Sequence, residues 1–372
     1  MPKDRLAKVK NRNKKILQSC IIMVITILII IGLGGYFLAR SYINKMNLIS
    51  TKDQEQVESS EQIPEEDTID EVLSEDLVTE GTDSPEDAIS KMEENIIKNM
   101  EDKSTPIATD KDVLNVLLIG SDTRKAGGSG RSDAMIIISI NKKTKKIIAT
   151  SILRDIYLQI PSGESNRINS AYAYGGADLL METIEQNFKI QLDRFASIDF
   201  YSFMDIVDAV GGVMIEVTEP EIPIINEYVR NLNRLTGAEE EQDILTAGGT
   251  YLLNGKQALG YARNRYIGTD FERTARQRRV LEQIFLNIKD MGLLELNNLL
   301  NIILPQVTTN LTEGEIFSLL LSLPSFKGYT RVQWSIPVDG TYSFLRIRGM
   351  DVIGIDFEAN IKELQARIYE NR

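Results

Sequence analysis

The chain has 372 residues and a formal net charge of −12, from 42 basic and 54 acidic side chains. It holds no histidine and one cysteine. That composition excludes Ser-His-Asp and Cys-His catalysis, His-ligated metal and haem sites, cysteine metal clusters and intramolecular disulfides, leaving carboxylates, Arg, Lys, hydroxyls and hard cations to do any chemistry.

The charge is uneven: +8 over residues 1–50, −16 over 51–112 and −4 over 113–372. Seven Lys/Arg within residues 1–15 precede a nearly unbroken apolar run of twenty residues, Cys20–Ala39. Such a run spans about 30 Å as a helix, the thickness of a bilayer core. No A-x-A-like exit follows it, so an uncleaved anchor is expected rather than a signal peptide. The expected order is a basic cytoplasmic tail over 1–18 and a transmembrane helix over 19–39. An acidic extracytoplasmic linker follows over 40–112, then a domain over 113–372. The positive-inside rule puts the N-terminus in the cytoplasm and the domain outside, in a single-pass protein of the cell membrane. The linker reads as solvated and extended, a stalk. Within it, Ser84 and Pro85 form a helix start, and Ala88, Met92, Ile96 and Ile97 recur at helical spacing.

From residue 113 the pattern becomes that of a folded domain. Strands are expected at Val113–Ile119, Ala134–Ile140 and Lys146–Ile152, the last two joined by a turn at 141–144. Helices are expected at Ala177–Phe188 and Tyr201–Val210, then a strand at Val213–Val217. Gly255–Tyr261 reads as a helix giving way to an extended Ala262–Tyr266, followed by a long helix over Phe271–Met291. The last sixty residues alternate helix and strand, closing with a helix at Ile361–Tyr369. The expected fold is α/β, with a mixed central β-sheet flanked by helices.

Four clusters stand at element ends, where sites are commonly built. Asp122, at a strand tip, and Asp133, at the start of the next strand, are joined by a glycine-rich loop. Two such carboxylates suit Mg²⁺ or Mn²⁺; the same residues also suit a solvated turn. Arg154 follows the third strand and would point into the same mouth, or pair with Asp155 at the surface. Arg263 and Arg265, two apart in an extended segment, would present two guanidiniums side by side, a pattern that favours an anion between them. Asp270, Arg273 and Gln277 share a helix face, and Asp270 is also well placed as a helix cap. Arginines beside a divalent-cation site are equipment for binding a diphosphate and transferring a phosphoryl group. With a net charge of −4 and few aromatics near these arginines, the domain has no nucleic-acid footprint.

These motifs, in their order, resemble the LytR-CpsA-Psr family. The similarity runs from Asn115–Gly120 with Asp122 and Arg124 through Arg131-Ser132-Asp133 and Ser151–Asp155. It continues with Arg167–Tyr172, Asp199-Phe200, Val207–Val213, Leu253–Gly255, Ala258–Arg265 and Asp270–Gln277. The resemblance implies an α/β/α domain outside the membrane of a Gram-positive type envelope. The implied activity transfers an anionic glycopolymer (wall teichoic acid, capsule or another wall polysaccharide) from an undecaprenyl-diphosphate carrier to a muramic acid hydroxyl of peptidoglycan. It implies that Arg154, Arg263, Arg265, Arg273 and Gln277 hold the diphosphate, with Arg124 and Arg131 near the same mouth. Asp122 and Asp133 would organise Mg²⁺, and Asp270 would position arginines or serve near the attacking hydroxyl. The same residues would also suit a non-catalytic polyprenyl-diphosphate binder in envelope regulation, or a lipid diphosphatase.

Overall fold

The structure, a computed structural model, describes residues 47–48, 85–121, 130–161, 163–289 and 291–370. The expected cytoplasmic tail and transmembrane helix lie outside the described residues, as do Asp122 and Arg124. No helix among the described residues is long and apolar enough to cross a membrane.

The described elements are β1 (Asn47–Leu48), α1 (Pro85–Glu101), β2 (Val113–Ser121), β3 (Ser132–Asn141), β4 (Lys146–Ile152), β5 (Tyr157–Gln159), β6 (Ser165–Arg167) and α2 (Asn169–Phe188). Next come β7 (Arg194–Ile198), α3 (Phe200–Ala209), β8 (Val213–Val217), α4 (Glu221–Thr236), β9 (Gly249–Leu253), α5 (Gly255–Arg263), α6 (Asp270–Ile288) and α7 (Leu293–Ile303). The chain ends with β10 (Thr308–Thr309), α8 (Glu313–Phe326), β11 (Thr330–Ile336), β12 (Tyr342–Ile347), β13 (Met350–Ile355) and α9 (Phe357–Tyr369).

A seven-stranded sheet in the order β1-β10-β7-β2-β3-β4-β11 forms the centre. It is mixed: β2–β3 and β3–β4 pair antiparallel, while β2–β7 and β4–β11 pair parallel. The apolar, β-branched runs of β2, β3 and β4 supply its middle, as buried strands do. On one face Leu117, Ile137 and Ile148 pack with Ile184 and Phe188 of α2 and Leu364 of α9. On the other, Arg278 of α6 donates to Ser151 Oγ of β4. A second apolar cluster joins α3, α4, α5, α6 and the β8–β9 hairpin through Val207, Ile225, Ala258 and Val280. The expected mixed sheet between helices is therefore observed.

Three local expectations change. Helix α1 does not sit in a solvated stretch: Met92 and Ile96 are buried in the first core cluster. Helix α2 starts earlier than expected but breaks at Gly175 and Gly176, where a φ of 62° at Gly176 leaves the helical region. The helix expected to stop at Tyr261 runs to Arg263; a capping box of Asn254 and Gln257 closes its start, and the chain turns extended at Asn264 (ψ 114°).

Candidate active site

The C-terminal ends of β2 and β7, the start of β3, and the facing ends of α3, α5 and α6 converge on one cleft, with Arg154, just past β4, reaching Asp133 at its edge. Its volume is about 510 Å³, open mouth included. Asp133, Arg263, Arg265, Arg273 and Gln277 line its polar side; Ile198, Phe200, Phe203, Leu259 and Ala262 line the apolar side.

Asp133 is the hub. Its Oδ1 accepts from Arg154 Nη1 at 2.9 Å and from Arg265 Nη2 at 3.2 Å. Burial alone would raise its carboxyl pKa. The charges of Arg154, Arg265, Arg273 and Arg263 outweigh that and hold it below the ordinary aspartate value. Arg154 also lies 3.5 Å from Asp155, which in turn pairs with Arg167 at 3.4 Å. Burial pulls the Arg154 pKa down, and Asp155, Asp133 and Asp270 more than restore it, so it is raised.

Helix α6 delivers the most buried cation. Its N-cap is Thr269, in a capping box with Glu272, rather than the expected Asp270. Asp270 is the first helical residue, and its carboxylate lies 2.7 Å from Arg273. Arg273 is only 2% exposed, and burial, with Arg154 and Arg265 close by, lowers its pKa against the pull of Asp270. Gln277 follows one turn later on the same face.

Arg263 and Arg265 meet the same cleft by a different route from the one expected. They do not alternate on a strand. Arg263 is the last residue of α5, with its guanidinium 4.1 Å from the Phe200 ring centroid and 5.4 Å from that of Tyr228. Arg265 sits in the loop beyond. That loop is held by Arg276, whose fork donates to the carbonyls of Asn264 (3.0 Å) and Ile267 (2.8 Å) and to Glu221 (2.7 Å). Neither Arg276 nor Glu221 stood out in the sequence as part of the site, because their pairing crosses from α4 to α6. The apolar lining from α3 and α5 likewise reads in sequence as ordinary helical core. Asp199 also lines the cleft, but its carboxylate caps α3 through Ser202.

Arg154, Arg263, Arg265 and Arg273 thus share one half-buried place with Asp133 and Asp270, while Asp155 pairs with Arg154 and Arg167 and Asp199 caps α3. Arg273 Nε, a donor, and Gln277 Oε1, an acceptor, are buried with no hydrogen-bond partner among the described residues. Unpaired buried polar atoms are costly unless a ligand meets them: the guanidinium donors suit an anion with several oxygens, the Gln277 carbonyl oxygen suits a hydroxyl or amide donor, and the adjoining wall suits an apolar tail. Arg131 lies immediately before β3 and outside the cleft lining. No group of three acidic or other metal-ligating side chains comes together among the described residues.

The LytR_cpsA_psr family model matches residues 82–366. The chain is 29% identical over 289 residues to the polyisoprenyl-teichoic acid–peptidoglycan teichoic acid transferase TagU of Bacillus licheniformis, covering 76% of this chain and 86% of that protein. The solved structure of TagT bound to LI-WTA matches with a TM-score of 0.57 at 27% identity, over 71% of this chain and 95% of that one. The LytR-CPS2A-psr family protein YwtF (TagT) with bound octaprenyl pyrophosphate lipid matches with a TM-score of 0.53 at 26% identity, again over 71% and 95%.

Proposed function

The chain belongs to the LytR_cpsA_psr family, and from that premise we propose that it transfers an anionic glycopolymer, as its phosphate, from a polyprenyl-diphosphate carrier to a muramic acid hydroxyl of peptidoglycan. The observation that carries this reading is the cleft itself. Four arginines gather round one half-buried aspartate, and the adjoining wall is apolar. The names of the relatives, transferases and lipid-diphosphate complexes, support the same reaction class.

In this reading the diphosphate lies against Arg154, Arg263, Arg265 and Arg273, with the Gln277 amide at the same face and the prenyl chain along Phe200, Phe203 and Leu259. Arg131, immediately before β3, would help attract the anion, as would Arg124, which lies outside the described residues. The acceptor hydroxyl attacks the sugar-side phosphorus. A new O–P bond forms as the bridging P–O bond breaks, and prenyl monophosphate leaves with the electron pair. The arginines neutralise the charge that builds on the departing phosphate. The hydroxyl proton goes to Asp270, since Asp133 is held by two guanidiniums and is too weak a base.

Mg²⁺, or Mn²⁺, would be held by Asp122 and Asp133 together with phosphate oxygens of the donor. Of that pair Asp133 is described, and its two guanidinium contacts both fall on Oδ1; Asp122 lies outside the described residues, and one or two carboxylates completed by substrate phosphate are the usual Mg²⁺ pattern. When bound, the ion would add charge neutralisation at the diphosphate. The apolar run Cys20–Ala39 would anchor the protein in the cytoplasmic membrane with the domain outside, where both substrates meet.

The test is binding of a short-chain prenyl diphosphate to the full chain in detergent. Wild type is expected to bind it, and Arg263→Ala/Arg265→Ala to bind at least tenfold more weakly, about 1.4 kcal/mol. Equal binding by both would remove the basis of the proposal.

A further inference from the structure

Strand β1 begins at Asn47, eight residues after Ala39, the last residue of the apolar run read as the membrane anchor. Eight Cα–Cα steps reach at most about 29 Å. The sheet edge that holds β1 is therefore kept close to the bilayer. β1 pairs parallel with β10, and β10 antiparallel with β7, so that Asn47, Thr308 and Ser197 lie abreast. Ser197 immediately precedes Ile198, which lines the apolar side of the cleft. Two strand spacings, about 10 Å, separate Asn47 from Ser197. The chain thus arrives from the anchor level with the apolar lining of the cleft.

The surface beside β1 has the composition that this position demands. β1 lies against the turn Leu304–Gln306 that ends α7. Residues 296–311 contain no Asp, Glu, Lys or Arg, whereas 26% of the whole chain is charged. On α7, Leu296, Leu299 and Ile303 turn inward to the cluster that holds Phe203 of the cleft wall. Asn298 and Ile302, one turn apart, face the other way and are exposed, Ile302 to 43%. The nearest charge on that outer face, Glu295, lies two turns back, about 10 Å along the axis, and its carboxylate accepts from the Gly292 N–H. Apolar side chains enter the boundary between headgroups and acyl chains readily, and charged ones at a cost.

We propose that the C-terminal end of α7, with Ile302 outermost, rests on the outer surface of the bilayer, and that the β1–β10 pairing sets this orientation, so that a membrane-embedded prenyl diphosphate enters the cleft along its apolar wall. The proposal rests on the anchor and transferase readings given above. The occupant of this face is the lipid surface: a partner protein would have to fit between the face and a bilayer held at most about 29 Å from β1.

The experiment places Ile302→Trp and, separately, Thr330→Trp in the full chain, reconstituted in phosphatidylcholine vesicles brominated near the headgroup end of the acyl chains. Thr330 is exposed on β11, at the opposite edge of the sheet, six strand spacings or about 29 Å from β1. The one native tryptophan, Trp334, is buried and sets the background. The bromines are expected to quench the indole at 302 and to leave the indole at 330 at background. In parallel, Ile302→Glu is expected to raise the KM for a long-chain donor in vesicles at least threefold, the worth of burying the exposed part of one isoleucine. It should leave the KM for a short-chain donor in detergent unchanged, whereas a folding defect would move both. No quenching at 302, or equal quenching at both positions, in protein that floats with the vesicles would overturn the proposal. So would a vesicle-donor KM for Ile302→Glu equal to that of wild type. Protein that fails to float removes the anchor, and the proposal with it. Absence of transfer by wild type with every donor strikes the transferase reading, and the quenching pair still decides the docking face.

Discussion

Replacing Asp270 by asparagine removes the carboxylate that faces the most buried cation of the site. Arg273 is 2% exposed, lies 2.7 Å from Asp270, leaves Nε without a partner, and sits near the like charges of Arg154 and Arg265. Removing one partner of a buried pair costs about 3–5 kcal/mol. The Asp270 side chain is 17% exposed, so water relieves part of the loss and the low end, about 3 kcal/mol, applies. In a domain of this size that lowers Tm by about 6–12 °C. Arg273→Met acts differently. It keeps the apolar stem, removes the crowded cation, and leaves a carboxylate that water can reach, so it should cost less than about 1.5 kcal/mol. The double variant Asp270→Asn/Arg273→Met should regain most of the lost Tm, while every variant lacking Arg273 loses prenyl-diphosphate binding. Thermal unfolding of the full chain in detergent, beside a binding titration, reads both quantities. If Arg273→Met lowers Tm as much as Asp270→Asn, then Arg273 is framework, and the argument that it is held buried for an anion fails.

Other consequences follow from the same geometry. Arg276→Lys cannot reach Glu221 and two carbonyls at once; it should lose about 2–3 kcal/mol and weaken donor binding through the Arg265 loop, as denaturant titration and lipid binding would show. Saturation with prenyl diphosphate at about 100 times its Kd should stabilise wild type by about 2.7 kcal/mol and leave Arg263→Ala/Arg265→Ala unmoved; equal shifts would place the lipid elsewhere. Because the folded pKa of Asp133 is depressed, its contribution is complete above the ordinary aspartate value, about 4, and is lost as pH falls through the lower folded value. The stability gap between wild type and Asp133→Asn should therefore be widest near neutrality and shrink in acid; a gap that widens in acid would contradict the sign. Gly255→Ala would drive a methyl into the backbone of Met204, where α5 crosses α3, and should cost about 1–3 kcal/mol by thermal unfolding.

Several strands were legible because they are runs of β-branched residues with clear ends: Lys146–Ile152 in the central sheet and Val213–Val217 in the separate β8–β9 pair are found at the expected bounds. The charged site residues were legible too, because several arginines and aspartates recur at the ends of elements that the alternating strand and helix pattern brings to one edge of the sheet. Arg154, Arg263, Arg265, Arg273, Gln277 and Asp133 do meet in one place. Local geometry was less so. Alternating Arg263 and Arg265 looked like a strand, but the helix that begins at Gly255 continues to Arg263 and leaves its helical path only at Asn264. At 269–272, a Thr three residues before a Glu carried a capping-box signal that outranks Asp270 as cap, which frees that aspartate for Arg273. The Arg276–Glu221 brace and the Phe271–Tyr342 ring contact join residues 55 and more than 70 positions apart. No local pattern signals such contacts; only the packing of α6 against α4 and β12 creates them.

The most direct measurement is a transfer assay on the full chain in detergent, with a short-chain prenyl-diphosphate-linked glycan, peptidoglycan oligomers and Mg²⁺, read by mass spectrometry. The account predicts a glycan-phosphate adduct on the oligomer together with prenyl monophosphate, both lost in Arg263→Ala/Arg265→Ala. Prenyl monophosphate released with free phosphorylated glycan and no adduct would contradict it, and would make the protein a lipid diphosphatase.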